Sequence, residues 1–125
     1  RQSLPKYEKY QSDYLKDFYT LAFSHPSVSS VTFWNLTDQN AWRGHAGGLT
    51  FSDLKPKMAF NTLKKLIKVK WNTKVSSEFK LNDNFNFNGF YGKYEGNITV
   101  KNKKYFFSFN HNSKNSKNPI KIYLN

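Results

Sequence analysis

An α/β arrangement running into a small antiparallel β region is the fold class the sequence predicts, on three observations. Apolar residues recur at helical spacing over residues 5 to 24. The run Val31-Thr32-Phe33-Trp34 is apolar on both faces, as a buried parallel strand would be. After Trp71 the pattern changes to alternation of aromatic and polar residues.

The first helix rests on Tyr10, Tyr14, Phe18, Leu21 and Ala22, spaced three and four apart with Lys and Asp between them. Pro26 closes it, because the residue before a proline is pushed out of the helical region. Val28 and Val31 to Trp34 then give the short strand. Residues 35 to 53 lack periodicity and contain Gly44, Gly47 and Gly48, which predicts a long loop of the kind that often carries function. Asp53 is placed to cap a second helix, with Pro56 in its first turn and an apolar stripe of Ala59, Leu63, Leu66 and Ile67. Helix, strand, long loop and helix match the last turn of an α/β barrel or sheet.

Beyond Trp71, Phe85 and Phe87 alternate with asparagine, Asn88-Gly89 signals a turn, and Tyr94, Ile98 and Val100 follow. Asn102-Lys103 marks another turn before Tyr105, Phe107 and Phe109, and Ile120, Ile122 and Leu124 alternate at the end. The expected boundary divides residues 1–67, a barrel segment of helix, strand and helix, from a β-strand-rich region at 68–125. A single parallel strand with two helices cannot complete a sheet, and the chain starts at Arg1 without methionine. It is therefore expected to be the C-terminal piece of a longer protein, with any signal peptide upstream.

Composition narrows the function. Aromatics make up 18% of 125 residues, which argues for packing rather than disorder. Twenty basic against eight acidic residues give a formal charge of +12, but the lysines are scattered and interleaved with asparagine. That pattern fits a solvated basic surface better than a nucleic-acid stripe. Cysteine is absent, which removes disulfides and thiolate metal sites. No apolar run reaches the roughly 18 residues of a membrane span. No cofactor and no metal is expected, nor a nucleic-acid or membrane partner.

The run TFWNLTDQNAWR, with HPSV before it and LKPKMAF after it, resembles the eighth strand and final loop of family 10 glycoside hydrolases, β-1,4-xylanases built on a (β/α)₈ TIM barrel. The family pattern there is Trp-Gly-x-x-Asp-x-x-Ser-Trp-Arg, followed by Lys-Pro-x-Ala-Tyr. Trp34, Asp38, Trp42, Arg43, Lys55-Pro56-Lys57 and Ala59-Phe60 fall in place, while Asn35 and Ala41 depart from it. Trp71-Asn72-Thr73 and the stretch from Phe85 to Tyr94 are similar to the β-rich tail of animal and plant members.

The resemblance implies a secreted, monomeric retaining endo-β-1,4-xylanase or glycanase, an O-glycosyl hydrolase acting on xylan or cellulose. Trp34 and Trp42 would hold the sugar by their indole faces, Asp38 and Arg43 would brace the loop, and Asn35 and His45 are candidates for the cleft. Taken without the motif, Trp34 suits a core, His45 a solvated loop and Asp38 a structural ion pair. Retaining hydrolysis needs two carboxyls about 5–5.5 Å apart. Glu8, Glu78 and Glu95 match neither catalytic position, so the piece alone is expected to be inert. Two other readings stay open: a carbohydrate-binding homologue that does not cut, and a basic nucleic-acid-binding β domain. Two sequons, Asn35-Leu36-Thr37 and Asn97-Ile98-Thr99, are present.

Overall fold

Two helices and one antiparallel hairpin are the regular elements of this chain, in a computed structural model that describes residues 5–42, 46–80 and 83–123. They are α1 (Pro5–Ser24), α2 (Met58–Lys65) with a π-helical turn (Leu66–Lys70), β1 (Gly92–Val100) and β2 (Lys103–His111). The chain divides into two units, Arg1–Asn72 and Thr73–Asn125.

In the first unit, Pro5 opens α1, where its missing amide is no loss. The helix ends before Pro26, with the His25 amide donating to the Ala22 carbonyl at 3.2 Å and the Ser24 hydroxyl to Leu21 at 2.8 Å. α1 and α2 pack together around a core of Leu15, Leu49, Ala59, Leu63 and Leu66, with Tyr19, Phe33, Phe60 and Trp71 against it. A hydrogen bond of 2.7 Å between the Ser12 and Thr62 hydroxyls satisfies the polar groups that this contact buries. Burial also raises the Tyr19 phenol above its ordinary pKa.

α2 ends in a wider turn: the Trp71 amide reaches back five residues to Leu66 at 2.8 Å. Trp71 then stacks on Phe23, with ring centroids 4.2 Å apart and planes at 5°. Lys64, Lys65, Lys68 and Lys70 lie at the negative end of the helix dipole.

The expected barrel segment is corrected here. Val31 to Trp34 forms no strand and pairs with none; Val31 and Trp34 are exposed rather than buried on both faces. A parallel strand takes its backbone bonds from neighbours on either side, and the described chain supplies none. The result is a small structure of two helices and a two-stranded antiparallel sheet. The second helix also starts later than expected. Asp53 does not cap it but closes the turn before it, accepting from the Lys55 amide at 3.1 Å and pairing with its ammonium at 2.8 Å. The Lys55 side-chain bond and then its amide hold the Asp53 carboxyl below its ordinary value. That exposed bond is lost as pH falls through the carboxylate range, and solvent screening keeps its effect small.

In the second unit, β1 and β2 pair in the register Tyr94↔Phe109, Gly96↔Phe107 and Ile98↔Tyr105. The loop between them is Lys101-Asn102, both at positive φ (47° and 64°), which makes it a type I′ turn with the twist a hairpin needs. One face carries a ladder of rings. Phe79, Phe85 and Phe87 stack in succession, Phe87 meets Tyr94 at 5.4 Å, and Tyr94 lies flat on Phe109 at 5.2 Å. Phe107 covers Gly96 so closely that a Cβ there would meet its ring at 2.5 Å. Phe85, Phe87, Ile120 and Ile122 were expected in strands and are not; Leu124 lies outside the described residues. Among the described residues no helix is long and apolar enough to cross a membrane.

Leu54 is an exposed residue at φ 65°, a left-handed conformation that costs a β-carbon-bearing residue roughly 1–2 kcal/mol. Glycine avoids that cost but loses about 0.5–1 kcal/mol more chain entropy on folding. Leu54→Gly is therefore expected to raise stability by up to about 1 kcal/mol in urea denaturation, and Leu54→Ala to leave it unchanged.

Candidate functional site

Among the described residues from Asn35 to Lys57 there is neither helix nor ladder, and the backbone is held by isolated bonds. Leu36 is the hub: its carbonyl accepts from the Leu49 and Thr50 amides, each at 2.9 Å, and from the Thr50 hydroxyl at 3.2 Å. The Asp38 amide donates to Thr50 at 3.0 Å, and the Lys57 amide to Leu49 at 3.0 Å. Thr50 thus bridges Thr37 on one side and Pro56 on the other, a three-stranded contact one residue wide.

At its centre is a buried ion pair. Asp38 is 3% exposed and Lys57 1% exposed. The Lys57 ammonium donates to Asp38 Oδ1 at 2.8 Å, its distance to Oδ2 is also 2.8 Å, and it lies 5.4 Å from the Phe51 ring centroid. Asp38 Oδ1 also accepts the Gly48 amide at 2.8 Å, and the Gln11 amide group of α1 donates to the Gly48 carbonyl at 3.3 Å. Gly48 is required there: a Cβ would sit 2.4 Å from the carbonyl carbon of Thr37 and 2.6 Å from the amide nitrogen of Asp38. No buried side-chain polar atom among the described residues lacks a partner.

Two indoles close to this pair in sequence are left to solvent. Trp34 is 83% exposed and Trp42 78% exposed, with Leu36 exposed between them in sequence. Asn35 is half-buried, its side-chain nitrogen 3.9 Å from where a Cβ on Gly47 would lie. Arg43 and His45 lie outside the described residues. Lys57, a motif position to which the sequence assigns no role, is the buried cation here, and no local signal marks a lysine that will be buried. The arrangement is a carboxylate paired with a buried ammonium, with two exposed indoles close to it in sequence. No group of His, Asp and Glu among the described residues could hold a metal ion.

No family model matches the chain. It is 31% identical over 103 residues to a curated protein named anti-sigma-I factor RsgI6, of Acetivibrio thermocellus. The match covers 82% of this chain but only 13% of that protein, so the chain spans about an eighth of its relative. This finding corrects the expected membership in glycoside hydrolase family 10. The relative carries the name of a regulator directed against a sigma factor, not that of an O-glycosyl hydrolase. The expected xylanase or glycanase activity and the expected partner, a β-1,4-linked polysaccharide such as xylan or cellulose, are withdrawn with it. The physical reason is that a Trp-x₃-Asp-x₃-Trp-Arg loop specifies a shape, a buried acid with rings left outside, and a shape does not fix a chemistry.

Breaking a buried pair leaves one charge unpaired, whereas removing both does not. Lys57→Met and Asp38→Ala are each expected to destabilise the first unit by about 3–5 kcal/mol. The double variant Asp38→Leu/Lys57→Met is expected to recover most of that loss, as a double-mutant cycle in urea would show.

Proposed function

We propose that this chain is part of a regulator of the anti-sigma-I type, in which it serves as a binding module for a protein partner rather than as a catalyst. The observation that carries the proposal is the extent of the similarity. The first unit ends at Asn72 and the match runs over 103 residues, so the likeness reaches into both units.

The geometry supports the same role. Trp34 and Trp42 are the contact residues we assign to the partner. Exposed tryptophans are over-represented among residues that dominate binding energy, because a rigid ring buries a large area at small entropic cost. Burying one indole is worth about 1.5–3 kcal/mol at 25 cal/mol per Å². The Asp38–Lys57 clamp keeps the loop that carries them in one conformation, which lowers the cost of association. The net charge of +12 favours a partner with an acidic surface and speeds the encounter.

The complete protein is expected to bind the sigma-I-type factor of its own organism and to inhibit transcription from a promoter that this factor serves. Trp34→Ala is expected to weaken that binding by about tenfold or more without changing the circular dichroism spectrum. Absence of any measurable complex would reject the regulatory role. A complex of unchanged affinity in the Trp34→Ala and Trp42→Ala variants would reject the contact residues alone.

A further inference from the structure

We infer that the tip of the β1–β2 hairpin, Lys101 and Lys104 with the ring of Phe106, is a docking site for an acidic segment of a protein. The inference rests on the hairpin itself and not on the role proposed for Trp34 and Trp42. The register places Lys93, Glu95, Asn97 and Thr99 of β1 on one face with Lys104, Phe106, Ser108 and Asn110 of β2. On that polar face Phe106 is the one aromatic residue, and it is 79% exposed, while Tyr105, Phe107 and Phe109 turn to the half-buried face. The aromatic ladder does not use it.

The cations around it are held in place. The Lys104 ammonium lies 5.6 Å from the Phe106 ring centroid, and the Lys103 ammonium 4.9 Å from that of Tyr105. The two amines are thereby directed to opposite faces of the ribbon, Lys104 to the polar face with Phe106 and Lys103 to the ring face with Tyr105, and Lys101 occupies the turn. From Asn97 to Ser108 the sequence contains no Asp or Glu. The one carboxylate of the hairpin, Glu95, is engaged by Lys93 at 2.6 Å, and that hydrogen bond holds its carboxyl below the ordinary value. The tip therefore offers Lys101 and Lys104 beside one apolar ring, Phe106, with no carboxylate among residues 97–108 to neutralise them.

Its shape selects the class of ligand. Single-stranded nucleic acid is bound along a positive groove with successive stacking rings, and this tip is a narrow ribbon with one. A membrane surface needs an extended apolar face to bury, and one ring is too little. A short acidic segment fits: its carboxylates meet the lysines and one apolar side chain covers Phe106.

The test is titration of the ¹⁵N-labelled full chain with a short glutamate peptide carrying a central leucine. Shifts are expected to concentrate at residues 101–106. Lys101→Gln/Lys104→Gln is expected to weaken binding about tenfold and to flatten its salt dependence, and Lys103→Gln, on the other face, to have a smaller effect. Phe106→Ser is expected to weaken it about as much while leaving the salt dependence in place. Lys64→Gln/Lys65→Gln, which removes charge elsewhere, is expected to change nothing, and the amide spectrum of each variant verifies the hairpin. Shifts spread over all lysines, equal binding by the tip variants, no binding at millimolar peptide, or tighter binding to a single-stranded oligonucleotide or to anionic vesicles would each overturn the inference. A hairpin that binds the peptide while the complete protein ignores its sigma factor would reject the regulatory role and keep this site.

Discussion

The buried pair of Asp38 and Lys57 is the interaction on which the first unit depends. Taking two charges out of water costs several kcal/mol each, and the cost is recovered only where geometry is tight and the remaining lone pairs are used. Here both carboxylate oxygens face the ammonium, and one also takes the Gly48 amide. The pair joins the start of the loop to the residue before α2, across nineteen positions of sequence. An apolar pair of similar volume could fill the same space, so losing one partner costs far more than the pair contributes net. A loop with so few backbone bonds would otherwise have many conformations to choose from.

The second unit solves the same problem of a small core in another way. A lone two-stranded ribbon is marginal in water. Here the half-buried face of the ribbon is occupied by stacked rings, several of them from the irregular segment before β1. The Tyr94 hydroxyl donates to the Phe90 carbonyl at 2.8 Å, and the Phe90 amide donates to the Thr73 hydroxyl at 3.2 Å, which ties that segment to the ribbon. Gly96 and Gly89 are where the rings come closest to the backbone; a Cβ on Gly89 would meet the Tyr94 hydroxyl at 2.2 Å.

Legibility in the sequence followed locality. α1 is readable because helical spacing and Pro26 are local signals, and the alternation of Tyr105, Phe107 and Phe109 gives β2 for the same reason. Val31 to Trp34 misleads because burial on two faces depends on neighbours that a sequence does not display. Asn88-Gly89 carries a turn signal, yet the hairpin closes at Lys101-Asn102, and the glycine is kept for its contact with Tyr94. Lys57 is illegible because lysine ordinarily means solvent, and only the fold brings it to Asp38. The tryptophans around Asp38 stand out in the sequence, and the structure leaves both exposed, which no local signal foretells. The motif describes how a loop holds an acid inside and rings outside, and a curated protein similar to the chain carries the name of a regulator.

The clamp is tested most directly by hydrogen exchange at the Gly48 amide, which donates to Asp38 inside the loop. The account predicts exchange as slow as that of core amides such as Leu63, because opening this bond requires opening the ion pair and the unit with it. Exchange at the rate of an unprotected loop amide, with Leu63 still protected, would contradict it.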